Sequence, residues 1–186
     1  MAKTDDAPAT QTTAVARDRF LDALGAALEN RANTPPSFDE IAQAAGITAS
    51  RARLFPRRQD PITSYIARQT EAHEIFVGAA RQRLGQGPRA EAAAHLVAAR
   101  VPADGDHPML AAMLAAAQSP ERLAPVVSHY GRRMERLAAD PDGDLLVAAT
   151  LVADALWFLD AFGVPALAAE RRQAVLARLL REIRQG

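Results

Sequence analysis

The chain has 186 residues, of which 49% are hydrophobic and 24% charged, and its 22 basic and 22 acidic residues give a formal net charge of zero. Any affinity for nucleic acid must therefore come from the local placement of charge, because no global positive excess attracts phosphates. The absence of cysteine excludes disulfides, zinc fingers and thiol catalysis.

The sequence shows neither a signal peptide nor a membrane span. No basic start is followed by an apolar run. The longest nearly apolar run, Leu145 to Leu159, is shorter than the ~18 residues that a membrane span needs, and it contains Asp154. We therefore expect a soluble cytoplasmic protein without a membrane partner.

Residues 1–13, MAKTDDAPATQTT, have no apolar period, and we expect them to form a disordered tail. From Ala14 onward apolar residues recur at helical spacing, and β alternation never extends beyond a few residues. The sequence therefore predicts an all-α fold. The first predicted helix extends from about Ala14 to Asn30 and has one apolar face, formed by Phe20, Leu21, Leu24 and Leu28.

The next segment predicts two short helices joined by a tight turn. Ser37 and Glu40 have the spacing of a capping box, which opens a helix that lasts to about Ala44. Gly46 supplies the positive φ that a tight turn favours. Thr48 can cap a third short helix, which a proline ends.

Asp60 and Pro61 form a cap and first-turn pair that opens a long helix, which fades by the GQG at residues 85–87. Beyond it, turn-rich separators divide the chain into further helical segments. These segments are Ala90 to Arg100, Pro108 to Gln118, Pro120 to Ala138, Asp144 to Phe162 and Leu167 to Gln185. We expect an N-terminal three-helix domain over residues 14–58 and a larger helical domain over residues 59–186.

Two short helices joined by a glycine-containing turn are typical of a helix-turn-helix, whose second helix enters the DNA major groove. An arginine at the front of that helix can bridge guanine O6 and N7, and later arginines are better placed for phosphates. The alternative is a solvated face of an ordinary helix, since arginine dominates the basic residues throughout. The candidate DNA-contacting residues are Ser37, Thr48, Ala49, Ser50, Arg51, Arg53, Arg57 and Arg58.

The stretch SFDEIAQAAGIT, preceded by ALGAAL and followed by LFPRRQDPITSYI, resembles the N-terminal domain of TetR-type transcriptional regulators. The segment LLVAATLVADALWFLDAFGVPALAAERRQAVLARLL resembles the last two helices of the same family. The resemblance covers about residues 14–184 and implies a homodimer that binds a palindromic operator in double-stranded DNA and releases it when a small molecule occupies the C-terminal domain. Where family members usually have a glycine and a tyrosine in the recognition helix, this chain has Ser50 and Arg53.

The run from Leu145 to Leu159 is apolar on nearly every side, so it must be buried on more than one face. A partner subunit is one possible second cover, and a two-fold four-helix interface would match a palindromic operator. The alternative is a buried helix inside a monomeric bundle. The candidate dimer-interface residues are Leu145, Val152, Leu156, Leu159, Leu176, Leu179, Leu180 and Ile183.

A mixture of soft apolar side chains with a few polar ones suits a small organic effector, although each residue could also be ordinary core. The candidates are Met109, Met113, His129, Tyr130, Met134, Asp154, Trp157 and Phe158. We interpret His73 and His95 as solvated or satisfied histidines. Metal-ligand spacing, carboxylate pairs, a Ser-His-Asp order and glycine-rich phosphate loops are not visible, so we predict no metal, cofactor or enzymatic activity.

The sequence therefore predicts a dimeric TetR-like DNA-binding regulator, a repressor whose larger domain senses a hydrophobic or amphipathic small molecule. The alternative is a TetR-like fold that has lost sequence-specific DNA binding and acts as a lipid or small-molecule carrier, or as a protein-interaction module. The stretch TASRARLFP motivates this alternative, because LFP without a preceding tyrosine also occurs in helical lipid-binding relatives of this fold.

Overall fold

The computed structural model describes residues 7–30, 36–48, 52, 60–100, 107–117, 119–164 and 167–185. Over these residues the chain is helical, which confirms the all-α prediction, and none of the helices is both long and apolar enough to cross a membrane. The α-helices are α1 (Ala7–Asn30), α2 (Phe38–Ala44), α3 (Pro61–Leu84), α4 (Pro88–Ala98), α5 (His107–Ala116), α6 (Ala124–Ala138), α7 (Gly143–Ala161) and α8 (Ala169–Gln185), and a 3-10 helix (Pro120–Leu123) precedes α6.

Helix α1 begins at Ala7, whereas the apolar period predicts a start at Ala14. Residues 7–13, which we expected to lie in a disordered tail, are therefore helical. Alanine has the highest intrinsic helix propensity, and Pro8 lies in the first turn, where the missing N–H leaves no hydrogen bond unmade. The apolar period misses this stretch because propensity, unlike burial, leaves no periodic signal.

The predicted starts of α2 and α3 and the glycine turn after α2 are confirmed. In the capping box of α2, the Glu40 backbone N–H donates to Ser37 Oγ over 3.3 Å, and the Ser37 N–H donates to Glu40 Oε2 over 2.8 Å. Gly46 has a φ of 66° in the turn that follows. Asp60 caps α3 by accepting a hydrogen bond from the Ile62 N–H at 2.8 Å.

A first core joins the N-terminal helices to α5. Its buried members from α1, α2 and α3 pack around Ala112 and Ala116, which belong to α5 in the predicted larger domain. The buried residues are Phe20, Leu21, Leu24, Leu28, Ile41, Ala42, Ala52, Ile62, Tyr65, Ile66, Ala112 and Ala116. Packing therefore continues across the boundary that we expected between residues 58 and 59.

A second core holds α4, α6, α7 and α8 together. Polar contacts reinforce its periphery: Arg172 of α8 donates to both carboxylate oxygens of Asp160 at 2.8 and 2.7 Å, and to the Ala99 carbonyl at 2.9 and 2.7 Å. On α6, Arg136 pairs with the buried Glu91 of α4 at 2.6 Å. The ends of α4 and α7 are thereby fixed to the start of α8.

The segment from Pro120 to Ala138, predicted as one helix, is divided into the 3-10 helix and α6. Pro125 lies in the first turn of α6. A proline has no N–H to donate, and its ring clashes with the carbonyl four residues earlier in a continuous α-helix. The sequence PERLAP therefore permits a helix to begin at this point but not to continue through it.

The turn between α6 and α7 predicts a position-specific effect of glycine substitution. A Cβ at Gly143 would lie 2.6 Å from the Ala138 carbonyl oxygen and 2.8 Å from its Cα, and neither backbone atom can rotate away. We expect Gly143→Ala to lower the free energy of unfolding by about 1–3 kcal/mol in urea denaturation, since the turn must open.

Gly131→Ala is the matched control, because a Cβ added to this α6 glycine would meet no atom within 4 Å outside its own helix. It should raise the free energy of unfolding by up to about 1 kcal/mol through helix propensity. Equal stability of Gly143→Ala and the parent would contradict the tight turn.

Candidate functional site

A cavity of about 390 Å³ lies between α3, α4, α5, α6 and α7, with α8 at one end. The structure brings together seven of the eight predicted effector-binding residues in its wall, namely Met109, Met113, His129, Tyr130, Asp154, Trp157 and Phe158. Met134 instead packs against the second core. One residue along α6 from Arg133, the helix has rotated by about 100°, which turns position 134 out of the cavity wall.

Arg133 is the centre of the polar end of this cavity. Its side chain is only 1% exposed, and its Nη2 donates to Glu74 Oε1 on α3 at 2.7 Å. The same Nη2 contacts the His129 ring, and the guanidinium carbon lies 5.1 Å from the centre of the Tyr130 ring. Because a buried charge needs a partner, the Glu74 carboxylate makes this burial possible.

Three buried polar atoms around this end have no hydrogen-bond partner among the described residues: Arg133 Nε, His95 Nε2 and Asp154 Oδ2. All three residues line the cavity. Since buried polar atoms in folded proteins are almost always paired, these atoms provide unused hydrogen-bonding capacity. The interpretation of His95 as a satisfied histidine is therefore corrected by the structure.

His95 and His129 favour their neutral forms. Burial, with the nearby Arg133, His73 and His129, lowers the pKa of His95 from 6.5 to about 2. Burial and Arg133 also lower the pKa of His129, and Glu74 opposes this shift. The cavity therefore presents the uncharged imidazoles of His95 and His129 beside the paired guanidinium of Arg133.

Asp154 and Tyr130 form the acidic side of the same end. Burial raises the pKa of Asp154, while Arg133 and a hydrogen bond from Tyr130 oppose the rise. Burial and the neighbouring Asp154 raise the pKa of Tyr130, so the phenol keeps its proton and can donate it to the carboxylate. No group of three or more His, Cys, Asp or Glu side chains in the described part of the chain could hold a metal ion. The arrangement of the Tyr130 phenol beside the Asp154 carboxylate suits the binding of a small-molecule ligand.

The cavity also contains residues that the sequence analysis did not select. His73, Phe76, His95, Arg133 and Arg172 all line it. Arginine is so frequent in this chain that a buried arginine on α6 has no distinguishing pattern. Helical spacing is the signal that could have identified Arg133, because positions 126, 129, 130 and 133 share one face of α6.

The structure places the predicted dimer-interface residues in two environments. Leu156, Leu176, Leu180 and Ile183 are buried in the second core of the single chain, so they have no surface to offer a partner. Leu145, Val152, Leu159 and Leu179 are half-buried. The apolar stripe of α8 packs within its own chain, because a stripe shows that a face is buried but not which chain buries it.

Helix α7 instead exposes a strip that the sequence analysis missed. Ala148, Leu151 and Ala155 are exposed, with Leu151 at 52%, while Leu146, Ala149, Ala153 and Leu156 of the same helix are buried. We call Ala148, Leu151 and Ala155 the α7 strip. A helix that is apolar all round gives no sequence signal for which side stays outside.

Two of the predicted DNA-contacting residues are described by the structure. Ser37 is exposed at the start of α2, and Thr48 is exposed with its carbonyl accepting a hydrogen bond from the Ala52 N–H at 2.9 Å. Ala52 is fully buried in the first core. The other candidates lie outside the described residues, and they are Ala49, Ser50, Arg51, Arg53, Arg57 and Arg58.

The depressed pKa of His95 predicts a loss of stability in acid. Between about pH 6.5 and pH 2 the unfolded chain binds a proton that the folded chain does not, so the free energy of unfolding falls as the pH is lowered. Burial of Asp154 acts in the opposite direction, so the informative quantity is the difference between parent and variant. In urea denaturation at pH 7 and pH 5.5, His95→Gln should lose less stability on acidification than the parent.

The control for this experiment is Ile183→Val, which removes a methylene group from the second core and no titratable group. It should lower the free energy of unfolding by about 1 kcal/mol and retain the pH dependence of the parent. An identical pH dependence of the parent and His95→Gln would contradict the burial of a neutral His95.

Comparisons with known proteins agree with this architecture. The family model for the Tetracyclin repressor-like, C-terminal domain matches residues 89–184, from the first turn of α4 to the last turn of α8. Neither a curated protein nor a solved structure gives a match to the chain. The matched range contains the second core and five of the helices that line the cavity, and it spans more than half of the 186 residues. The chain belongs to the TetR family of regulators.

Proposed function

We propose that the protein is a dimeric TetR-family repressor that binds a palindromic operator through residues 37–58. A small hydrophobic or amphipathic molecule enters the cavity and releases the protein from DNA. The predicted domains at residues 14–58 and 59–186 then serve DNA binding and effector binding with dimerisation, respectively. The observation that carries this proposal is the position of α5, which contributes to both the cavity and the first core.

Helix α5 has two neighbouring surfaces with different partners. Met109 and Met113 line the cavity, while Ala112 and Ala116 are fully buried against the N-terminal helices. Because protein interiors are close-packed, a ligand that displaces Met113 requires α5 or its neighbours to move. Such a movement is transmitted directly to the core that supports the N-terminal domain.

Helix α3 provides a second connection. Its first half supplies Ile62 and Ile66 to the first core, and its middle supplies His73 and Phe76 to the cavity. Two ion pairs fix this helix: Arg122 binds the capping Asp60 at 2.6 Å, and Arg68 of α3 binds Asp22 of α1 at 2.9 Å.

We infer that effector binding changes the relative stability of two arrangements of the dimer. One arrangement places the two recognition helices at the spacing of one DNA turn, about 34 Å, and the other does not. The effector acts to the extent that it binds the second arrangement more tightly. Helices α3 and α5 are the elements through which the cavity and the DNA-binding segments are coupled.

The exposure of the α7 strip is an argument for a dimer. Its opposite face is used by the second core of the same chain, so a monomer leaves Leu151 in contact with water. A two-fold axis passing near the strip would bury the same residues from both subunits. This arrangement also fits the symmetry of a palindromic operator.

The carrier alternative uses the same cavity and therefore cannot be separated from the repressor by ligand binding alone. The two functions differ in DNA binding. A regulator distinguishes its operator from other DNA, whereas a carrier has no such preference.

The dimer proposal predicts a specific effect at Leu151. Leu151→Glu should convert the dimer to a monomer at micromolar concentration in analytical ultracentrifugation, because a carboxylate buried in an apolar interface costs several kcal/mol. Val127→Glu is the matched control, because Val127 is 64% exposed on α6 and lies outside the α7 strip. A dimer that survives Leu151→Glu would place the interface elsewhere.

The DNA-binding proposal is tested by fluorescence anisotropy with labelled DNA from upstream of the protein's own gene and with scrambled DNA, across a salt series. We expect tight, sequence-dependent binding with a steep salt dependence. Arg51→Ala should weaken specific binding by about 1–3 kcal/mol, and Arg57→Ala should weaken binding to both DNAs and reduce the salt slope by about 1.

Arg178→Ala is the charge-matched control, because Arg178 is exposed on α8 and its ion pair within the described part of the chain is a 3.9 Å contact with Glu182. It should bind both DNAs as the parent does. Weak and equal binding of the parent to both DNAs would argue against the repressor and in favour of the carrier.

A further inference from the structure

We propose that the effector is an uncharged amphipathic molecule whose polar end both donates and accepts hydrogen bonds, such as a primary amide, and whose remainder is apolar. The inference rests on the proposed function, because it takes the cavity as the effector site. It is carried by the three unpartnered polar atoms and by the charges around them.

The depth of the lining residues orients the ligand. His95 and Arg133 are 2% and 1% exposed, whereas Phe76, also in the cavity wall, is 55% exposed. His95 and Arg133 therefore lie deep in the cavity, and Phe76 lies nearer its mouth. A ligand enters with its polar end first and leaves its apolar body among the methionines and aromatic rings of the wall.

The unpartnered atoms define the hydrogen bonds of the polar end. Arg133 Nε–H is a donor, so the ligand must offer an acceptor; Asp154 Oδ2 is an acceptor, so the ligand must offer a donor. His95 Nε2 can play either role according to its tautomer. A primary amide satisfies both fixed requirements with one small group.

The surrounding charges disfavour an ionic head group. An anion would approach Asp154 and compete with Glu74 for Arg133, and a cation that pairs with Asp154 would lie beside the buried Arg133 guanidinium. Like charges repel strongly in a buried site, where water screens them poorly. Either ion would also lose its hydration on entry, and the neutral imidazole of His95 adds no charge that offsets this cost.

Trp157 makes this inference directly measurable. It is the single tryptophan of the chain and lines the cavity, so intrinsic fluorescence reports on this site. Three probes share an eight-carbon chain and differ in their head group: octanamide is neutral, octanoate is an anion and octylammonium is a cation at pH 7.

The expected result is a saturable change of Trp157 emission with octanamide, at one molecule per chain by calorimetry, and at least ten-fold weaker binding of both ions. Binding of either ion as tightly as octanamide would overturn the inference. So would the absence of saturable binding by all three probes.

The variant Asp154→Asn tests the origin of the selectivity. Asparagine keeps the shape of the side chain and removes the carboxylate, so octanamide should bind more weakly. The ratio of the dissociation constant of octanoate to that of octanamide should fall several-fold. Asp144→Asn is the matched control, because Asp144 is exposed in the first turn of the same helix. Selectivity that is unchanged in a folded Asp154→Asn protein would overturn the assignment.

The operator-DNA experiment separates this inference from the proposed function. Octanamide that binds selectively but does not release the operator would refute the effector mechanism and leave the head-group inference supported. Operator binding by a protein that prefers octanoate or octylammonium would refute the head-group inference and leave the repressor supported.

Discussion

The guanidinium of Arg133 lies inside the protein, and its burial depends on the carboxylate of Glu74 at 2.7 Å. This ion pair connects α6 to α3 and leaves the Arg133 Nε–H directed at no described partner. The same positive charge lowers the pKa of His95 and opposes the rise in the pKa of Asp154. The hydrogen-bonding character of the polar end therefore depends on one buried charge, because Arg133 affects the pKa values of His95, His129, Tyr130 and Asp154.

The two cores explain how such a cavity can influence distant parts of the chain. Helix α5 packs Ala112 and Ala116 against the N-terminal helices and turns Met113 to the cavity. A boundary drawn along the sequence at residue 58 separates segments that share one core in space. The unit that responds to a ligand therefore includes both predicted domains.

Signals between neighbouring residues predicted the fold well. The Ser37–Glu40 capping box and the Asp60 cap are satisfied within one helical turn, so the sequence contains all that is needed to recognise them. Composition located seven residues of the cavity wall, since soft and aromatic residues cluster on α5, α6 and α7. Helical spacing places position 133 on the cavity face of α6, but the burial of the Arg133 charge could not be predicted, because it depends on Glu74, 59 residues away. The orientation of α7 and α8 depends on long-range packing for the same reason, which is why Leu176 proved to be core and Leu151 surface.

The walls of the cavity differ in rigidity, and this difference has a consequence for selectivity. Arg172 fixes the ends of α4 and α7 through four hydrogen bonds to Asp160 and Ala99. Another part of the wall contains Met109 and Met113, whose unbranched side chains adapt to many shapes. Such a site selects the terminal group of a ligand and accepts variation in the shape of its apolar body. Compounds with unrelated carbon skeletons could thus act as equivalent signals, provided that they carry the same terminal group.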